Sequence, residues 1–236
     1  FLQNHDQIGN RAFGERLRAL ANDDAVRAAT ALMLLAPSIP LLFMGEEDGS
    51  TQPFQFFTDY RGALADAVRE GRRREFAAFP AFADAAHRDA IPDPNDIATF
   101  VRSSSHHPPD ESWPDAAAWR RFYRSALAVR AALVTPHLAD ARALGVDLLA
   151  GDGDPPALVA RWRLGDGSTL TIALNLGSHD ATLPALPVGK IVFETPPRAR
   201  DRLPGGHVPP RACIAWRDGA VNHDARQHRA NGRSPS

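Results

Sequence analysis

Leu41-Leu42-Phe43-Met44 is a continuous apolar run closed by Pro40 before it and Gly45 after it. A run so short and so tightly bounded predicts a strand buried on both faces. Phe1-Leu2-Gln3 reads as the end of an earlier strand, and Asn4-His5-Asp6 directly behind it reads as a polar loop. Between the two, residues 24–36 carry Ala, Val, Leu and Met at helical spacing, with good N-cap types at Asn22 and Asp23 and a stop at Pro37. Strand, loop, helix, strand, loop is the grammar of a parallel sheet with covered faces. It predicts residues 1–3 and 41–44 as parallel neighbours, with Asp6 and Glu47 in loops at the C-terminal end of their strands. In barrels and open α/β sheets that end carries the chemistry.

Further along, residues 62–79 read as a charged helix through Leu64, Val68 and Phe76, and a loop rich in Pro, Asp and His is expected over 90–114. Trp119, Phe122, Ala126, Val129 and Leu133 alternate at spacings of three and four, predicting a helix over 115–133 with one apolar face. After Thr135-Pro136 the texture changes to short β-rich runs at 158–164, 169–175, 190–194 and 212–216, and Asp166-Gly167 between the first two is a hairpin signal. Three regions are therefore expected: an α/β region over 1–135, an antiparallel β domain over 136–221 and a disordered tail over 222–236.

Charge narrows the function classes. The 27 basic residues are offset by 28 acidic ones over 236 residues, for a formal net charge of −1. Nothing draws such a chain electrostatically to nucleic acid or to an anionic membrane, and Pro37 and Pro40 break its longest apolar run. The single cysteine, Cys213, rules out an intramolecular disulfide framework and a multi-cysteine zinc site, and is expected as a small core residue of a strand. No obligate protein partner is implied.

The densest chemistry lies in Gln3-Asn4-His5-Asp6-Gln7, where a carboxylate, an imidazole and several amides converge. Carboxylates accept hydrogen bonds and amides both donate and accept, so the cluster suits a polyhydroxylated ligand; a structural polar cap would use the same residues. One His beside one Asp has no further ligand at a metal-binding spacing, so no metal is expected. Glu47 fits either a buried turn or a site wall. Phe56, Phe57 and Tyr60 offer faces for sugar stacking or for local packing. Asp59 fits a pocket wall or an acid ahead of the following helix. Arg11 fits a contact with the site or, the favoured reading, a brace of its loop through a salt bridge, and His106-His107 are expected in a solvated loop.

The segment from Phe1 to Arg11 resembles the Asn-His-Asp region that follows the seventh barrel strand in the α-amylase superfamily of glycoside hydrolases. Residues 41–47 resemble that superfamily's eighth strand and its Gly-acid-Glu turn. Pro53-Phe54-Gln55-Phe56-Phe57-Thr58-Asp59, Glu70-Gly71-Arg72-Arg73-Arg74-Glu75-Phe76 and Ile91-Pro92-Asp93-Pro94 are similar to segments of its malto-oligosyltrehalose trehalohydrolases. The resemblance implies the last part of a (β/α)8 barrel followed by a small antiparallel β domain. It implies retaining hydrolysis of the α-1,4 bond beside the terminal trehalose of maltooligosyltrehalose, without a cofactor, in the cytoplasm.

Matched onto this chain, the resemblance makes Asp6 the carboxylate that stabilises the transition state and His5 a contact of the same sugar. Gln7, Glu47, Phe56 and Asp59 are the further substrate-binding candidates. The nucleophile and general acid of the superfamily follow its fourth and fifth strands, so by this resemblance they lie upstream of Phe1, and the chain by itself is expected to be inactive. The alternatives are a piece of another α-glucan enzyme, such as a branching enzyme or an amylase, and a non-catalytic carbohydrate-binding remnant.

Overall fold

The computed structural model describes residues 1–104, 115–149 and 157–219. The expected tail over 222–236 and His106-His107 lie outside the described residues. Seven helices are described: α1 (His5–Gly9), α2 (Leu17–Leu20), α3 (Asp23–Leu35), α4 (Ala63–Phe76), α5 (Ala85–Asp89), α6 (Ile97–Ser103) and α7 (Ala116–Leu133). Seven strands follow: β1 (Arg142–Leu149), β2 (Ala157–Arg163), β3 (Thr169–Asn175), β4 (Ala181–Thr182), β5 (Lys190–Thr195), β6 (His207–Val208) and β7 (Ala212–Arg217). The chain divides into two compact units, one of Phe1–Val26 with Pro40–Arg124 and one of Arg27–Ile39 with Ser125–Ser236. No helix among the described residues is long and apolar enough to cross a membrane.

The first unit is helical and loop-rich. Ala12, Phe76 and Ile91 form a small core joined by Phe13 and Phe82. Residues 1–3 and 41–44, expected as parallel strands, belong to no β ladder among the described residues. A strand exists only through the neighbour that accepts and donates its backbone hydrogen bonds, and neither segment has one here. Burial on both faces is absent as well: Leu41, Leu42 and Met44 are 52%, 38% and 41% exposed.

The second unit contains an antiparallel sheet in the order β1-β2-β3-β7-β5 and a two-stranded sheet of β4 and β6. Leu149, Val159, Ala173 and Ile214 share one face of the larger sheet and join a core with Ala181, Leu183, Leu203 and Val208. Asn175, at the end of β3, fastens the two sheets: its Nδ2 donates to the carbonyls of His179, Val208 and Pro209 at 2.8, 3.0 and 3.0 Å. The Asp166-Gly167 signal is realised as the β2–β3 hairpin, with Gly167 at φ +81°. Ser168 donates its amide and hydroxyl to Asp166, and Arg217 pairs with the same carboxylate. Cys213 is wholly buried in β7, where burial pushes its thiol pKa up.

Candidate functional site

Asn4 is the N-cap of α1: its side-chain oxygen accepts from the Gln7 amide at 3.0 Å. The cap turns the chain so that His5 and Asp6 occupy the first turn, where a carboxylate is favoured by the helix dipole. His5 Nε2 lies 3.4 Å from Asp6 Oδ1, and both side chains are about 70% exposed. They line a cleft of about 270 Å³ together with Gly9, Asn10 and the segment Phe54 to Phe57. Of the residues singled out in the sequence, the cleft unites His5, Asp6, Phe56 and Phe57. Gln7 is exposed outside it, and its amide is spent on the Asn4 cap.

A second cleft, of about 470 Å³, shares Phe57 with the first and continues along Thr58, Asp59, Asn95, Asp96, Ile97 and Phe100. Asp59 therefore lines a neighbouring space. Asn95 organises that wall, accepting from Thr58 Oγ1 at 2.8 Å and from the Tyr60 amide at 2.9 Å. Behind both clefts runs a chain of edge-to-face rings, Phe43 on Phe54, Phe54 on Phe57 and Phe57 on Phe100, with centroids 5.1, 5.7 and 5.1 Å apart. Phe57 is thus packed as well as lining, whereas Tyr60 is exposed and lines neither cleft.

Gly14 fixes the far side of the aromatic segment. Its carbonyl accepts from the Phe54 amide at 2.9 Å, its φ is +69°, and a Cβ there would sit 2.4 Å from the Phe54 carbonyl oxygen. Only glycine fits that close approach.

The turn after Met44 differs from expectation in which glutamate is inside. Glu47 is exposed and Glu46 is buried at 8% exposure. Neither Glu46 oxygen completes a hydrogen bond of ordinary geometry. Burial raises its pKa, and the nearby Gln3 amide, the Phe43 backbone and the Arg16 guanidinium draw it part of the way back. Arg16, 1% exposed, donates to the carbonyls of Gln52 (2.6 Å) and Met44 (2.7 Å) and lies 5.1 Å over the Phe43 ring. Gln3 is buried too, accepting from the Leu17 amide at 2.9 Å. Gln3, Arg16 and Glu46 make a buried polar cluster. Arg11 donates to the Glu15 carbonyl at 2.5 Å, bracing its loop through a backbone bond in place of the expected salt bridge. No group of three or more His, Cys, Asp or Glu among the described residues could hold a metal ion.

Residues 141–214 match a family model described as a domain of unknown function, DUF3459. The chain is 41% identical over 155 residues to a malto-oligosyltrehalose trehalohydrolase of Arthrobacter ramosus, covering 64% of this chain and 25% of the relative. Its likeness to the enzyme of that name from Deinococcus radiodurans is 36% over 186 residues, covering 74% and 29%. The chain resembles part of the malto-oligosyltrehalose trehalohydrolases of the α-amylase superfamily. A Salmonella typhimurium crystal structure provisionally named an alpha amylase is 37% identical, with a TM-score of 0.75 over 92% of this chain and 34% of that one. A trehalulose synthase mutant, at 17% identity and a TM-score of 0.51, shares the fold. The likeness shows an α-amylase-type α/β architecture followed by an antiparallel β domain. This chain spans about a quarter to a third of the length of the trehalohydrolases it matches.

Proposed function

We propose that this chain is part of a retaining glycoside hydrolase that cleaves the α-1,4 bond next to the terminal trehalose of maltooligosyltrehalose, releasing trehalose in the cytoplasm. The observation that carries the reading is the cleft in which His5, Asp6 and the exposed face of Phe56 converge. A carboxylate, an imidazole and an apolar ring face are the groups a sugar ring uses: acceptors for its hydroxyls and a surface for its C–H face. Retaining glycosidases pass through an oxocarbenium-like state formed between a nucleophile and a general acid. Asp6 adds to that pair a carboxylate whose bonds to the sugar hydroxyls strengthen as the ring flattens and positive charge develops, so it lowers the barrier rather than only tightening binding. His5 binds the same sugar. Asp59, in the adjoining cleft, accepts from hydroxyls of a neighbouring residue. Gln7 and Glu47 contribute less, because both stand outside the clefts.

The nucleophile and general acid belong to parts of the family's sequence that this chain does not contain, so the chain alone is inactive in this reading. In the full-length enzyme, Asp6→Asn lowers kcat on the order of 10²-fold while KM changes little. A variant with near-normal kcat sinks the assignment. The second reading, another α-glucan hydrolase with the same cleft, is favoured by the 37% likeness to the Salmonella protein.

A further inference from the structure

We propose that Arg72 is a positioning residue that holds both walls of the His5–Asp6 cleft in register, an inference that rests on the reading of that cleft as the sugar site. Arg72 is buried in α4, in the Glu-Gly-Arg-Arg-Arg-Glu-Phe segment. Its Nη2 donates to the carbonyls of Gly9 at 2.7 Å and Arg11 at 2.8 Å. These two carbonyls flank Asn10, the C-cap of α1. The same guanidinium lies between two rings, 5.0 Å from the centroid of Phe56 and 5.3 Å from that of Phe76.

A buried cation with no ion pair among the described residues is costly, and a long apolar side chain would fill the space between the rings without that cost. What the guanidinium adds is geometry. A five-residue helix has too few internal bonds to persist without outside support. α1 is pinned at its start by the Asn4 cap and at its end by Arg72, so the first turn that carries His5 and Asp6 is held from both sides. Stacking on Phe56 ties the facing wall of the cleft to the same group. A displacement of Asp6 by about an ångström is enough to cost on the order of 10²-fold in rate.

Two measurements test this. In the full-length enzyme, Arg72→Lys and Arg72→Met, assayed at a temperature where each remains folded, lower kcat by about 10- to 100-fold with a smaller change in KM. Lysine fails to rescue because it keeps the charge but loses the planar fork. In an Asp6→Asn background the same substitutions lower kcat by a smaller factor, since the catalytic carboxylate among the groups they position is gone. In the present chain, Arg72→Lys speeds hydrogen exchange at the Ile8 and Asn10 amides about tenfold while the amides of β3 and β7 are unchanged. Unaltered exchange in α1, or kcat losses that multiply with Asp6→Asn, overturns the proposal. Near-normal kcat in Asp6→Asn alone defeats instead the reading of the site, while the exchange measurement still decides the role of Arg72.

Discussion

Replacing Arg16 by methionine probes the buried cluster of Gln3, Arg16 and Glu46. The substitution removes two charge-assisted bonds, to the carbonyls of Gln52 and Met44, from a side chain that is 1% exposed. Each such bond contributes ~1.5–3 kcal/mol, and the carbonyls left behind are only partly able to turn to water. Methionine keeps contact with Phe43 and recovers ~1 kcal/mol, so the net loss near neutral pH is ~2–5 kcal/mol.

Part of that loss is electrostatic and carries a sign that can be read. Glu46 has a folded pKa raised by burial, so its native state binds protons that the unfolded chain has released, and stability falls as pH rises from the ordinary glutamate value through the raised one. Arg16 draws that pKa down. Without it the Glu46 pKa climbs further, and the fall in stability becomes larger and extends to higher pH. Urea unfolding of the two proteins at about pH 4.5 and about pH 7.5 measures the difference, which is smaller at the lower pH. A loss below ~1 kcal/mol at neutral pH, or one independent of pH, refutes the assignment of Arg16 and Glu46 to one buried cluster.

Other perturbations probe separate parts of the account. Asn175→Ala lowers stability by ~3 kcal/mol, because three carbonyls and the Gly177 amide lose their partner, and Asn175→Asp costs more, since an acceptor-only group then faces three carbonyl oxygens; urea midpoints rank the two. Arg217→Met weakens the β2–β3 hairpin in a pH-dependent way. Burial pushes the Asp166 pKa up but is outweighed by the Ser168 hydroxyl and amide, Arg217 and His137, so the pKa is depressed. That stability is present above the ordinary aspartate value and is lost as pH falls through the depressed one; the gap in melting temperature between the two proteins therefore closes in acid. The exposed side chains of Leu41, Leu42 and Met44 bind a hydrophobic dye, and Leu41→Gln with Leu42→Gln reduces the fluorescence; an unchanged signal places the apolar surface elsewhere.

Elements whose pattern is long and regular were legible in the sequence. The spacing of Trp119, Phe122, Ala126 and Leu133 predicts α7 to within a residue, and β3 falls on its expected bounds. Short elements escaped because a few residues carry no period. β4 and β6 are two residues each and exist through their pairing with one another. The α1 turn was legible in principle: Asn4 followed three residues later by Gln7 is a helix-start signature. Ile97, Phe100 and Val101 behind Asp96 were a comparable signal for α6, masked by the Pro- and Asp-rich surroundings. β1 alternates Leu144, Val146 and Leu148, but Gly145 sits at the bulge between Ala143 and Gly145 and interrupts the pattern.

At the site, His5, Asp6 and Phe56 line one cleft. Glu46 could not be told from Glu47, since one residue of turn decides which carboxylate points inward. Arg72 carried no local signal either: its partners lie more than sixty positions earlier in the chain, at Gly9 and Arg11.

The most direct test of the central claim is the product released by the full-length enzyme. Given maltotriosyltrehalose and maltopentaose in parallel, a trehalohydrolase frees trehalose from the first rapidly and acts far more slowly on the second. Chromatography of the two digests distinguishes the outcomes. Trehalose as the dominant early product, lost on Asp6→Asn, is the expected result; comparable cleavage of both substrates into short maltooligosaccharides, with trehalose left attached, contradicts it.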